Sequence, residues 1–303
     1  MFSKDHVAKQ MYVFFRLFLR SWLFISLLPT YLLSTSPKDV CVVDMWIGHE
    51  ENPRANETLT RIRKNHESYA VCQGYSYIHQ TTSLNDTLTP HWTKMFLIRN
   101  LLQTRCDVVL WIDFDALFMH CKYGVEHIIS TNNVKDDAML IFSGDTNIIN
   151  TGVMIFRRSS WSTQFISKII AIGHTPGPDP SFKGGLGMGY ENTAFAIALV
   201  GCNPSSSQSE REECYRKSDY AYIEKEKGNP DSYLKMTAGD REALDAVLVD
   251  KYKPYVHILP QAEFNAYKVR DAKFIAHFPS QKKRMALLHK LAGRTTCECG
   301  GTI

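Results

Sequence analysis

From Asp39 onward, short apolar runs alternate with longer stretches whose apolar residues recur at helical spacing. That alternation predicts strands followed by amphipathic helices. Val40 to Ile47 reads as the first strand, Thr58 to Cys72 as a helix, and Tyr75 to His79 as a second strand. Trp92 to Leu102 is a predicted helix, and Val108 to Ile112 is an apolar central strand. Ala138 to Phe142 and Gly152 to Phe156 read as strands flanking a turn, with a helix from Ser159 to Ile172 after them. His174 to Gly189 is rich in Gly and Pro and predicts a long loop, which runs into a helix from Tyr190 to Val200. The polar stretch Asn203 to Asp219, bracketed by Cys202 and Cys214, reads as a surface insertion. Such an order predicts an α/β domain with a mainly parallel sheet covered by helices on both faces.

The central strand ends on VVLWIDFDALF, which delivers Asp113 and Asp115 at i, i+2. Two hard carboxylate oxygens at a strand end make a seat for a divalent cation, and a seat left half open to phosphate suits a diphosphate substrate. An ordinary strand exit gives the same tripeptide, so the spacing needs context. No phosphate loop is present: Gly185, Gly187 and Gly189 are followed by no Gly-Lys-Ser/Thr and lack the dinucleotide spacing.

The chain has 303 residues, 44% of them hydrophobic, enough for one large core. Its formal charge is +4, but Lys4, Lys9, Arg16 and Arg20 against Asp5 place most of that in the leader. The remainder is close to neutral, which gives a nucleic-acid partner no electrostatic support. Behind those basic residues, Trp22 to Leu33 is an apolar run of the kind that sends a chain into the secretory pathway. Residues 1–36 are therefore expected to be a cytosolic tail and signal anchor, with a cleaved signal peptide ending near Ser34 or Ser36 as the alternative, and residues 37–303 a lumenal domain. Two sequons, at Asn56 and Asn85, lie in polar stretches that read as surface, and all eight cysteines follow the leader. Both features fit an oxidising, glycosylating compartment, the Golgi or endoplasmic reticulum, with the protein as a single-pass type II membrane glycoprotein. Cys297-Glu298-Cys299 could be a metal clip, but disulfides are the better reading because no second pair stands at zinc spacing.

Five segments in order, Asn65 to Ile78 (NHESYAVCQGYSYI), His91 to Leu102 (HWTKMFLIRNLL), Leu110 to Phe118 (LWIDFDALF), Asn150 to Ser162 (NTGVMIFRRSSWS) and His277 to Lys283 (HFPSQKK), resemble a known family. It is that of the galactosyl, mannosyl and xylosyl transferases of the fungal GMA12/MNN10 and plant xyloglucan xylosyltransferase type. The resemblance implies a GT-A fold, a UDP- or GDP-sugar donor, a glycan acceptor, a Mn²⁺ ion with Mg²⁺ as second candidate, and retention of anomeric configuration. By position it implies Asp113, Asp115 and His277 as metal ligands and Lys282 as a lysine facing the donor diphosphate. It places Asn150 and Thr151 beside the sugar, and Lys94 is a further donor-site candidate. Where the family has an acidic residue followed by Gln, this chain has Glu191-Asn192, so Glu191 is a candidate for charge near the anomeric carbon or for acceptor binding, with altered reach.

Plainer readings stand beside these. His277 between Ala276 and Phe278 fits a core histidine, Lys282-Lys283-Arg284 a solvated face, Asn150-Thr151 a turn, and Glu191 a complement to its helix dipole. The function these residues imply is a metal-dependent transfer of a hexosyl or pentosyl unit. One alternative is a transferase-like domain that binds glycan or donor without turnover. Another is a haloacid-dehalogenase-type phosphatase with Asp113 as nucleophile, against which Leu117 stands where that loop wants Thr or Val.

Overall fold

The computed structural model describes residues 39–48, 52–144, 149–174, 190–203, 205–207, 209–210, 248–279, 284–295 and 297. The leader, the loop glycines and Lys282 lie outside them. No described helix is long and apolar enough to cross a membrane.

Strand β1 (Val40–Met45) leads to helix α1 (Pro53–Gln73), strand β2 (Ser76–Gln80), helix α2 (Thr93–Thr104) and strand β3 (Val108–Ile112). The short strand β4 (Ala116–Phe118), helix α3 (Val125–Thr131), and strands β5 (Leu140–Ser143) and β6 (Asn150–Arg157) follow. Helices α4 (Ser160–Gly173) and α5 (Tyr190–Leu199), strand β7 (Val256–Leu259), a single turn α6 (Gln261–Phe264), strand β8 (Ile275–His277) and helix α7 (Arg284–Ala292) follow among the described residues. The predicted helix over Thr58 to Cys72 thus begins earlier. Asn52 accepts a hydrogen bond from the Arg54 N–H at 3.0 Å, Pro53 fits the first turn, and Gly74 closes the helix at φ 71°. Apolar periodicity does not register such capping residues.

The main sheet has the order β2-β1-β3-β6-β5-β7. Five strands run one way and β6 runs against them, paired antiparallel to β3 and to β5. The reversal follows from the short link between Ser143 and Asn150, which cannot hold the crossover a parallel pair needs. Alternate residues of each strand enter two cores. Cys41, Val43, Val109 and Trp111 pack with Met95 and Ile98 of α2 and Phe165 and Ile169 of α4, while Val40, Val42, Leu110 and Ile112 face Tyr69 of α1 and Ile128 of α3. Strands buried on both faces account for the unbroken apolar runs in the sequence. A third cluster joins Leu59 and Ile62 of α1 to Leu288 of α7 over the small β4-β8 ribbon. The result is an α/β arrangement: a mainly parallel sheet with one reversed strand beside the acidic turn, and a separate small ribbon.

Cys41 is bonded to Cys106 and Cys121 to Cys297, and Cys72 and Cys202 are also disulfide-bonded. No described cysteine is a free thiol, so Cys297 is not a metal clip. The Asn56 sequon departs from the surface expectation: Asn56 is exposed on the first turns of α1, but Thr58 is buried and its hydroxyl donates to the Arg54 carbonyl at 2.8 Å. At the second sequon, the half-buried Asn85 side chain accepts from the Thr87 and Leu88 N–H groups in a bend whose Asp86 and Thr87 are exposed.

Candidate active site

β3 ends at Ile112 and hands Asp113 to a tight turn, closed by a hydrogen bond from the Ala116 N–H to the Asp113 carbonyl at 3.0 Å. The Asp113 N–H donates to the Gly152 carbonyl of β6 at 2.6 Å. After Asp115 the chain enters β4, whose Ala116 lies opposite His277 in the antiparallel ribbon with β8. This pairing brings a histidine from far along the chain to the acidic turn, and the Phe278 N–H ties the register by donating to the Asp115 carbonyl at 3.0 Å.

Asp113, Asp115 and His277 each offer a ligand atom, and these atoms lie within 4.8 Å of one another. His277 Nε2 is 3.1 Å from Asp115 Oδ1, and Arg284 Nη1 is 2.7 Å from Asp115 Oδ2. Asp113 Oδ1 accepts from Trp111 Nε1 at 2.7 Å and pairs with Lys94 Nζ at 3.0 Å. His277 is buried, as a core histidine would be, yet it faces a carboxylate. Burial works to raise the Asp115 pKa, but His277 and Arg284 beside it outweigh that and hold the carboxyl well below its usual range. Two carboxylates and an imidazole are a donor set suited to Mn²⁺. The two aspartates stand at the wall of a cleft of about 320 Å³, lined on its apolar side by Trp46, Ile47 and Phe114.

Behind the turn lies a buried charged layer. Lys94 Nζ bridges Asp113 and, at 2.9 Å, Glu191 Oε1, and it donates to the Thr151 carbonyl at 3.2 Å. Asn192 accepts from the Thr151 hydroxyl and from its N–H. Glu191 therefore does more than complement a helix dipole. Lys94 lines the cleft, but its ammonium is committed to two carboxylates. Burial alone would lower the Lys94 pKa; Asp113 and Glu191 instead raise it above the ordinary lysine value. Asn150 and Thr151 begin β6 rather than forming a turn, and Asn150 donates to the Tyr267 hydroxyl at 2.7 Å while accepting from the Gly152 N–H.

Gly152 lies against the imidazole: a methyl there would overlap His277 Cε1 and crowd Asn150 Oδ1. Gly152→Ala should therefore displace His277 and lower metal-dependent donor turnover by about 10²-fold, the scale of a small misplacement at a reacting centre. Steady-state rates at saturating Mn²⁺ check this, and unchanged turnover would show that His277 need not hold its position.

Asn65 and His66 are buried polar residues on the apolar face of α1, and no local sequence pattern assigns them a role. Asn65 brackets Phe118, donating to its carbonyl at 3.0 Å and accepting from its N–H at 2.9 Å. His66 Nε2 lies 2.9 Å from the Ala116 carbonyl, so the two side chains act as a surrogate strand on the edge of β4 that β8 leaves open. The signal was available: polar residues at core positions of a helix need partners. His66 Nδ1 in turn meets Asp44 Oδ2 at 2.6 Å, and His79 Nδ1 meets Asp44 Oδ1 at 2.5 Å. Burial opposes charge on Asp44, but these two histidines overcome it and bring its pKa from 3.8 down to about 2. A depressed carboxyl contributes stability that is present above its unfolded pKa and lost as pH falls through the folded one. Wild-type protein should thus lose about 2 kcal/mol from this group between about pH 4 and about pH 2, and Asp44→Asn should flatten that limb. Denaturant unfolding across that range tests this, and parallel acid limbs would contradict it.

The fold and the acidic-histidine turn together define an α/β domain with a candidate divalent-metal seat at the end of its central strand. Residues 36–138 match the model of the galactosyl transferase GMA12/MNN10 family. A probable glycosyltransferase 2 of Oryza sativa subsp. indica is 25% identical over 154 residues, covering 48% of this chain and 32% of the relative. Xyloglucan 6-xylosyltransferase 4 of Arabidopsis thaliana is 25% identical over 135 residues, covering 42% of this chain and 26% of the relative. The chain spans about a third or less of the length of these curated relatives. Among solved structures, a glycosyltransferase involved in glycosylation of the major capsid of PBCV-1 aligns over 84% of this chain and 99% of its own, with TM-score 0.49 and 11% identity. The matched family model and the curated relatives are glycosyltransferases, which gives the phosphatase reading no support.

Proposed function

We propose that the protein is a divalent-metal-dependent glycosyltransferase that moves a hexosyl or pentosyl unit from a UDP- or GDP-sugar to a glycan acceptor with retention of configuration. The observation that carries this reading is the convergence of Asp113, Asp115 and His277 within 4.8 Å of one another, with the two aspartates at the cleft wall. In this reading the three residues hold Mn²⁺, or Mg²⁺ as the second candidate. The cation supplies charge stabilisation to the diphosphate as it leaves. Lys282 adds positive charge on the same group. Asn150, Thr151 and Asn192 present amide and hydroxyl groups for the sugar, and Glu191, oriented by Lys94, places negative charge near the anomeric carbon or binds the acceptor. A pentosyl unit gains support from the name of the Arabidopsis relative, a xyloglucan xylosyltransferase.

Incubation with a panel of UDP- and GDP-sugars and glycan acceptors in Mn²⁺ tests the reading, with NMR of the first-formed product. The expected product keeps the anomeric configuration of its donor. Inversion would contradict the retaining mechanism, and donor binding with neither transfer nor hydrolysis would favour a binding protein.

The lumenal, type II placement in the Golgi or endoplasmic reticulum belongs to the same proposal, supported by the basic-apolar leader and the disulfides. Of the two sequons, Asn85 is the expected glycan site, so Asn85→Gln should remove most of the endoglycosidase-sensitive gel shift. An unshifted wild-type band, with thiols alkylated before reduction, would contradict that placement.

A further inference from the structure

We propose that Arg284 is an exchangeable counter-cation of the metal seat, neutralising Asp115 before the metal arrives and moving to the donor diphosphate when it does. This inference rests on the metal-dependent reading above. Its basis is the unequal holding of the two cations that face the acidic pair.

Lys94 covers Asp113, is 4% exposed, and is shared with Glu191, so a divalent ion cannot expel it without stranding a buried carboxylate. Arg284 covers Asp115 from the first turn of α7. Its side chain is 41% exposed, and among the described residues its ion pair is with Asp115 through Nη1. With Asp115 19% exposed, the pair is half-open to solvent and held less firmly than the buried Lys94 bridge. The other Asp115 oxygen already faces His277 at 3.1 Å, so both oxygens are engaged while Arg284 stays. A divalent ion drawing on Asp115 would compete with the guanidinium for the same lone pairs and repel it.

The displaced side chain stays at the cleft wall, which Arg284 lines together with Asp113 and Asp115. A diphosphate bound to the metal would place phosphate oxygens beside it, and a planar guanidinium fork matches phosphate with two parallel hydrogen bonds. One cation would then serve two partners in turn. The consequence is positive coupling: metal binding frees Arg284 for the diphosphate, and the diphosphate, by holding Arg284, frees Asp115 for the metal. Arg284 is thus a positioning residue in the empty site and a diphosphate contact in the loaded one.

Mn²⁺ binding to the whole protein, followed by electron paramagnetic resonance with and without inorganic pyrophosphate, separates the possibilities. Wild-type protein should bind Mn²⁺ weakly alone and more tightly with pyrophosphate. Arg284→Met should bind Mn²⁺ alone about tenfold more tightly than wild type and lose most of the tightening by pyrophosphate, on the scale of ordinary coupling between sites. Arg284→Lys, which keeps the charge, should stay near wild type in the absence of pyrophosphate and controls for folding. Equal Mn²⁺ affinity and equal pyrophosphate coupling in wild type and Arg284→Met would overturn the exchange while leaving the metal seat intact. Absence of Mn²⁺ binding in all three proteins would instead overturn the metal-dependent reading itself.

Discussion

Asp115→Ala should reduce Mn²⁺-dependent turnover of the donor by about 10³-fold or more while the domain stays folded. The rate loss follows from two deletions at once. One hard oxygen donor leaves the metal seat, and His277 loses the carboxylate that orients it. Folding is spared because the backbone of this turn is held independently of the Asp115 side chain, by Ala116 N–H to Asp113, Phe278 N–H to Asp115 and the Asn65 bracket on Phe118. Circular dichroism and donor-hydrolysis rates measured on the same preparation check both halves. A variant that keeps full turnover would remove Asp115 from the site, and one that unfolds would assign it to structure.

The second large effect is on stability. Lys94→Ala should cost about 3–5 kcal/mol, the range for breaking a buried ion pair by removing one partner, because it strands Glu191 and leaves Asp113 with less compensation. For a domain of this size, that loss should lower the thermal midpoint by roughly 10 °C. Its pH dependence has a fixed sign. A lysine pKa raised by folding contributes stability that is fully present below the unfolded value of 10.5 and is lost only as pH rises beyond it. The destabilisation should therefore be constant from neutral pH to about pH 9. Thermal unfolding of wild type and Lys94→Ala at several pH values measures this, and a midpoint shift of only a degree or two would show that the buried bridge contributes little.

Legibility from sequence tracked how local the cause was. The span Val108 to Ile112 was readable residue for residue, because an apolar run ended by Asp113 carries its own boundary. The α/β order and the acidic pair were equally plain. Strands β4 and β8 were missed because each is only three residues long and gains its identity from the other, far along the chain. His277 consequently reached the site through the resemblance rather than through any local pattern. Arg284 looked like part of a solvated basic run, since one-dimensional charge patterning cannot show that the first turn of α7 faces Asp115. The Asn65-His66 clamp failed to register for a similar reason: its partners are backbone groups of β4, which leave no trace in side-chain pattern. Lys94 was read as a donor-site cation, and only the fold reveals that Glu191 and Asp113 already engage it.

The measurement that bears most directly on the account is nucleoside diphosphate release from UDP- and GDP-sugars by wild-type protein stripped of divalent ions, before and after Mn²⁺ is restored. The account predicts no release above background from the stripped protein, recovery with Mn²⁺ for at least one donor, and no recovery in Asp113→Ala, Asp115→Ala or His277→Ala. Undiminished release in the presence of EDTA, or full recovery in those three variants, would contradict it.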